Sequence, residues 1–173
     1  VTLLGPIRSP FYLTRDKQMN LVIELPEDRT KPGSLRIVDS SGLVLAGPYE
    51  AYGKADSNTA NRKGNPGRIS VQPYGDTPTG GYKGVIVRTG NATNLNFNSF
   101  GTNGGIVLVP ISGDAKVARD NGRTGLMIHG GVPGPNGKLR ATNGCVRISD
   151  SDMELLMAAI SKISSDGISC SVN

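Results

Sequence analysis

The chain has 173 residues, a length that suits one domain spanning 1–173 and able to bury its own core. Hydrophobic residues make up 36% and charged residues 19%, with 24 glycines and 11 prolines, which excludes a disordered chain and describes a globular one rich in turns. The net charge of +5 leaves an anionic partner open, whereas the lack of tryptophan and an aromatic content of 5% argue against a stacking nucleic-acid reader, and no apolar run is long enough to span a membrane.

In chain order, short apolar runs bounded by Gly, Pro, Asn and Asp predict strands. They are Asn20–Leu25, Ser34–Asp39, Gly42–Gly53, Arg68–Val71, Gly81–Gly90, Gly104–Pro110, Gly125–Gly130, "CVRIS" from Cys145, and "GISCSV" near the C-terminus. "DSSG" between the second and third runs predicts a hairpin turn. The polar stretches Gly53–Gly67 and Gly90–Gly105 read as long loops, of a length often tied to function. Within the second, Asn91-Ala92-Thr93 matches a glycosylation sequon, a pattern common by chance. One helix is predicted over Ser149–Ile163, with Met153, Leu156, Met157, Ile160 and Ile163 on one face and Ser149 and Ser151 as capping residues. The two methionines read as core packing. The predicted fold is mostly β with this single helix.

The scattered basic residues, among them Arg8, Arg15, Lys17, Arg62, Lys63, Arg68, Arg119, Arg123, Lys138 and Arg140, read first as a solvated surface. The sequence begins at Val1 and carries no signal-type segment, which is compatible with an export signal removed earlier. Two cysteines and one histidine fit no zinc spacing, so neither a metal nor another cofactor is expected.

The chemistry concentrates in "LMIHGGVPGPNGKLRATNGCVRIS", Leu126–Ser149, which holds the only histidine, His129, and one of the two cysteines, Cys145. A thiol is a weak nucleophile until its proton is removed, and an imidazole beside it can take that proton to give a thiolate–imidazolium pair. A hairpin through Gly130–Thr142 would bring the two side by side, and the glycines from Gly130 would leave room for a substrate chain. Gly144 permits a tight turn before Cys145 that aims successive backbone N–H groups at one point, where an oxyanion develops during attack on a carbonyl. Two structural readings stand beside this one. The pair is an ordinary buried His and Cys, or Cys145 is joined to Cys170 in a disulfide and the motif is scaffolding.

"IHGG" followed by "ATNGCVRIS" resembles the signature of the L,D-transpeptidase (YkuD-like) catalytic domain. Thr142, Gly144, Cys145, Val146 and Arg147 match it position by position. Upstream, "GDTPTGGY", Gly75–Tyr82, is similar to a second element of that family, and the match runs over about 76–163. The resemblance implies a β-sandwich-like fold and cysteine acyl transfer on peptidoglycan stem peptides, without cofactor and outside the cytoplasm. In that reading Cys145 attacks the donor carbonyl, His129 serves as base and then acid, and the N–H groups of Asn143, Gly144 and Cys145 hold the oxyanion. Arg147 binds a substrate carboxylate, orients the loop, or is a plain strand arginine. Tyr82 lines the donor pocket or packs, and Thr142 hydrogen-bonds near the histidine. Resolution of the thioester by an amine gives crosslinking or D-amino-acid exchange, and resolution by water gives L,D-carboxypeptidase activity. Both a wall enzyme and a secreted antibacterial effector fit. Asn143 stands where many members carry a second histidine, and the segment between His129 and Thr142 is short for the family. A sortase-like transpeptidase also uses Cys, His and Arg but spaces its Cys and His farther apart. A non-catalytic wall-binding module of the same fold is the reading from another class.

Overall fold

The computed structural model describes residues 18–55, 64–72, 74–87, 97–162 and 167–173. The sequon Asn91–Thr93, the basic residues Arg8, Arg15, Lys17, Arg62 and Lys63, and Ile163 lie outside the described residues.

The described chain is mostly β. Its strands are β1 (Met19–Glu24), β2 (Gly33–Asp39), β3 (Val44–Ala51), β4 (Gly80–Val87), β5 (Gly105–Pro110), β6 (Met127–His129), β7 (Val146–Arg147) and β8 (Ile168–Val172). Helices α1 (Phe97–Phe100), α2 (Gly113–Asp120) and α3 (Asp150–Ser161) interrupt them. All eight strands belong to one sheet in the order β3-β2-β1-β8-β4-β5-β6-β7. Two pairings are parallel, β1 with β8 and β6 with β7. Beyond the end of β3, Tyr52 bridges to Arg147 of β7, with N–H···O bonds of 2.9 and 2.8 Å in the two directions. The first and last strands of the sheet therefore meet, and the expected sandwich takes the form of one sheet folded into a near-closed barrel. Closure of this kind removes exposed strand edges.

The alternation of the strands sends one face inward. Leu21 and Ile23, Leu35 and Ile37, Ile106 and Leu108 are buried in a common core. Each such side chain contributes roughly 1.5–3 kcal/mol through burial. Helix α3 adds Met153, Leu156 and Ile160 to that core, and Met157 packs at its border. Its start is where the sequence places it: the Ser149 hydroxyl accepts the Asp152 N–H at 3.0 Å. The "DSSG" turn also forms, with the Gly42 N–H donating to the Asp39 carbonyl at 2.9 Å.

Three elements differ from expectation, one of them the short helix α1 within the stretch Gly90–Gly105 read as loop. Arg68–Val71 is a turn, not a strand, with the Ser70 N–H bonded to the Gly67 carbonyl at 3.1 Å and Ile69 and Val71 exposed. Helix α2 has no apolar stripe in sequence, because it packs on β4 through the small side chains of Ala115 and Ala118 alone. Close approach takes the place of large side chains there, and periodicity of large apolar residues cannot report it.

Candidate active site

Strands β6 and β7 lie side by side and parallel, with Ile128 opposite Val146 and His129 opposite Arg147. They are not the arms of a hairpin. Parallel neighbours need a crossover connection, and the segment from Gly130 to Cys145 supplies it, with one 3-10 turn at Pro135–Gly137. Side chains alternate across both strands. Leu126, Ile128, Val146 and Ile148 enter the core, while His129, Cys145 and Arg147 border one cavity of about 820 Å³ on the other side. That volume is in the range of ligand-binding clefts. Phe100, Leu139 and Asn143 help to wall it.

Cys145 is 7% exposed and a free thiol. Its Sγ donates to the Gly125 carbonyl at 3.5 Å. Burial pushes the thiol pKa up, opposed by the Met127 backbone and by the positive charge of Arg123. His129 is 3% exposed, and its Nδ1 donates to the Gly130 carbonyl at 2.8 Å. That bond leaves the other ring nitrogen as the basic one. The Phe100 ring lies against the imidazole, centroids 4.7 Å apart and planes tilted by 52°. Burial pulls the His129 pKa down to about 4, and the Arg147 cation adds to this, while the Gly130 and Ser99 carbonyls work against it. Both side chains are therefore neutral near pH 7. The cavity is thus bordered by a neutral thiol and a neutral imidazole, each bonded to a backbone carbonyl, and not by the ion pair expected from sequence.

The turn before the cysteine is built by Thr142. Its hydroxyl accepts the Gly144 N–H at 3.0 Å and bonds the Cys145 carbonyl at 3.0 Å, so it shapes the turn and does not reach toward the histidine. This bond also uses the Gly144 N–H, one of the three expected oxyanion donors. Gly144 has φ +107°, and a Cβ there would run into the Arg123 guanidinium. Beneath the turn, the Thr77 hydroxyl donates to the Gly144 carbonyl at 2.8 Å.

Neighbouring side chains fill the space into which a side chain on Gly130 or Gly131 would project. A Cβ on Gly130 would meet the Asp150 carboxylate, and one on Gly131 would meet the Arg147 guanidinium. Arg147 is buried and donates to the Val132 carbonyl at 2.9 Å, holding the start of the crossover. Of the two roles open to Tyr82, the packing one is what the structure shows. The residue is 1% exposed in the core, its hydroxyl donates to the Pro78 carbonyl at 2.7 Å, and it does not border the cavity.

Sequence reasoning missed Arg123, which it counted among solvated basic residues. The side chain is 1% exposed. It donates to the carbonyls of Arg68, Gly75 and Asp76, and at 3.5 Å to that of Asn143. Nothing in its local sequence distinguishes it from a surface arginine. Phe100 and Ser99 were also missed, because they fall in a stretch read as loop.

Cys170 lies on β8, facing the core beside Gly84, and its thiol is free. Burial pushes its pKa up to about 12. Three strands separate β8 from β7 in the sheet order. Among the described residues, no three His, Cys, Asp or Glu side chains are placed to share a metal ion, and no helix is long and apolar enough to cross a membrane.

No family model and no curated protein matches the sequence. Solved structures do resemble it. A crystal structure of Mycobacterium tuberculosis L,D-transpeptidase 1 is similar at 11% identity over 91% of this chain and 62% of that one, with a TM-score of 0.44. An L,D-transpeptidase (Yku) from Stackebrandtia nassauensis is similar at 14% identity over 91% and 56%, with a TM-score of 0.48. An L,D-transpeptidase from Mycobacterium smegmatis is similar at 12% identity over 91% and 59%, with a TM-score of 0.40. The chain thus spans 56–62% of the length of these three. The solved structures named here as similar to this mostly-β chain are L,D-transpeptidases.

Proposed function

We propose that the chain is an extracytoplasmic cysteine acyl-transfer enzyme of the L,D-transpeptidase kind, acting on peptidoglycan stem peptides. The observation that carries this reading is the delivery of Cys145 and His129 into one cleft from adjacent parallel strands. A thiol, a neutral imidazole held by a carbonyl, and a tight turn at the nucleophile are the parts that acyl transfer needs.

In the proposed reaction the Cys145 sulfur attacks the donor carbonyl carbon as His129 takes the thiol proton. The proton moves with the attack, because burial disfavours a resting thiolate. The oxyanion is received by the N–H groups of Asn143 and Cys145, since that of Gly144 is bonded to Thr142. His129 then gives the proton to the leaving amine of the terminal residue, and a thioester remains on Cys145. An incoming amine, or water, gives a proton to His129 as it attacks the thioester carbonyl; the C–S bond breaks, and His129 passes the proton to the departing Cys145 sulfur, restoring the thiol. An amine yields crosslinking or exchange, and water yields a carboxypeptidase. The free thiols of Cys145 and Cys170 weigh against the disulfide-stapled module.

The test is incubation of disaccharide-tetrapeptide muropeptides with the wild type and with Cys145→Ala. Tripeptide, crosslinked dimer and D-amino-acid-exchanged product each name one of the three outcomes. Tripeptide release or D-amino-acid exchange without crosslinking fits a secreted antibacterial effector. Absence of any product from the wild type under reducing conditions overturns the reading.

A further inference from the structure

One of the two N–H groups assigned to the oxyanion, that of Cys145, belongs to the peptide unit shared with Gly144. A trans peptide is planar, so its N–H and C=O point in opposite directions, and whatever holds one end aims the other. The Gly144 carbonyl accepts from the Thr77 hydroxyl at 2.8 Å, and Thr77 lies outside the lining of the cavity that Cys145 borders. The Cys145 N–H therefore points away from Thr77, and among the described residues it meets no acceptor. Gly144, at φ +107°, has no side chain to set the peptide that follows it, and glycine resists rotation about its own bonds least of all residues. A larger residue cannot take over, because the Arg123 guanidinium fills that space. Thr142 holds the Gly144 N–H at 3.0 Å, and Arg123 reaches the Asn143 carbonyl at 3.5 Å. Both of those bonds act on the peptide before Gly144; Thr77 acts on the one after it.

Thr77 is itself held firmly. Pro78 after it biases its backbone toward the extended region. Its N–H donates to the Gly53 carbonyl at 2.8 Å, its carbonyl accepts from Arg29 at 3.3 Å, and the Pro78 carbonyl accepts from the Tyr82 hydroxyl at 2.7 Å. The Thr77 side chain is fully buried, and a Cβ on Gly53 would strike its hydroxyl. The Gly53 carbonyl stands 3.3 Å from that hydroxyl, farther than the Gly144 carbonyl, so the single hydroxyl proton goes to Gly144. We propose that Thr77 is a positioning residue for acyl transfer, whose hydroxyl orients the Gly144–Cys145 peptide so that the Cys145 N–H receives the oxyanion. Thr77 touches no reacting atom. A carbonyl that accepts a hydrogen bond polarises its own peptide, which makes the attached N–H a stronger donor. The role rests on the acyl-transfer reading above, in which Cys145 is the nucleophile.

The experiment compares acylation and alkylation of Cys145 in the whole protein, with para-nitrophenyl acetate and iodoacetamide. In acylation the sulfur bonds to the ester carbonyl carbon and an oxyanion forms. Its collapse breaks the C–O bond to the aryl group, para-nitrophenolate leaves with the electron pair, and the thiol proton passes to His129 and on to solvent. In alkylation the sulfur bonds to the CH₂ carbon and iodide leaves with the C–I electron pair, without an oxyanion. The ratio of the two rates, read at the Cys145 peptide by mass spectrometry, cancels any change in the thiol itself. The native ratio is expected to exceed that of the same cysteine in the urea-unfolded chain by about tenfold or more, and Thr77→Val to lose most of that excess. Thr77→Ala removes the hydroxyl without the volume of Val and is expected to do the same, and Thr77→Ser to recover the excess. A loss of stability alone leaves the ratio of the folded protein unmoved. A native ratio equal to the unfolded one overturns the proposal, as does an excess kept in Thr77→Val and Thr77→Ala, or lost equally in Thr77→Ser. If neither the Val nor the Ala variant folds, Thr77 serves the fold alone and the proposal falls. Muropeptide turnover by the wild type with the excess kept in Thr77→Val rejects the role of Thr77 and keeps the acyl-transfer reading. An excess lost in Thr77→Val, without muropeptide turnover by the wild type, rejects the peptidoglycan substrate and keeps the role of Thr77.

Discussion

The Thr77 hydroxyl donates to the Gly144 carbonyl at 2.8 Å, which joins the "GDTPTGGY" segment to the turn that carries Cys145. Gly75 and Asp76 of the same segment accept from Arg123, whose guanidinium lies where a side chain on Gly144 would stand. Two stretches far apart in sequence are thus one structural unit under the candidate nucleophile.

Thr77→Val keeps the shape and removes the donor. The Gly144 carbonyl then loses its side-chain partner in a buried setting, which costs about 1–3 kcal/mol. Chemical denaturation is expected to show that loss, and Thr77→Ser to recover most of it. A midpoint unchanged in Thr77→Val would show that the bond does not support the turn.

Arg123→Met exchanges a cation for an apolar side chain of similar reach. It leaves the carbonyls of Arg68, Gly75, Asp76 and Asn143 without that donor. A loss of about 3 kcal/mol or more is expected, since hydrogen bonds to charged groups are the stronger kind. Arg123 also opposes the rise of the Cys145 thiol pKa. The alkylation rate of Cys145 is therefore expected to rise at higher pH in the variant than in the wild type. An unshifted profile in folded protein would leave Arg123 a purely structural role.

His129 gives a pH dependence with a definite sign. Its pKa falls from 6.5 when unfolded to about 4 when folded, chiefly by burial. Between those values the unfolded chain binds the extra proton, so stability rises with pH. The contribution is fully present above pH 6.5, declines as pH falls, and is lost once pH passes below about 4; it is worth about 3 kcal/mol. Urea midpoints measured across this window are expected to fall in the wild type more steeply than in His129→Gln. Parallel curves for the two proteins would contradict the buried neutral imidazole. If the proposed acyl transfer with His129 as base holds, the acidic limb of kcat/KM is expected near 4 and not near 6.5.

The two cysteines are expected to react unequally. Cys145 borders the cleft, whereas Cys170 faces the core with its pKa pushed up to about 12. Iodoacetamide on the native protein is expected to label Cys145 alone, and labelling of Cys170 to require denaturant. Equal labelling in native buffer would place Cys170 outside the core.

Eight of the nine strand-like runs are strands, because β-branched residues between turn formers carry a local signal. Helix α3 and its Ser149 cap are legible for the same reason: spacing and capping act within a few residues. The turn at Gly144 is legible too, since a left-handed backbone position suits glycine and little else. Arg68–Val71 carries the composition of a strand and finds no partner strand, so it remains a turn.

The chain on its own determined the strands, the capped helix and the residue types of the candidate site. Tertiary structure decided that β6 and β7 run parallel, which turns an expected hairpin into a crossover standing over a cleft. It decided that Tyr82 packs in the core and that Arg123 is buried beneath the cysteine turn. It decided also that the thiol and imidazole rest neutral. Period, capping and turn chemistry depend on neighbours along the chain, whereas strand partners, burial and the field around a titrating group depend on residues that meet only when the sheet closes.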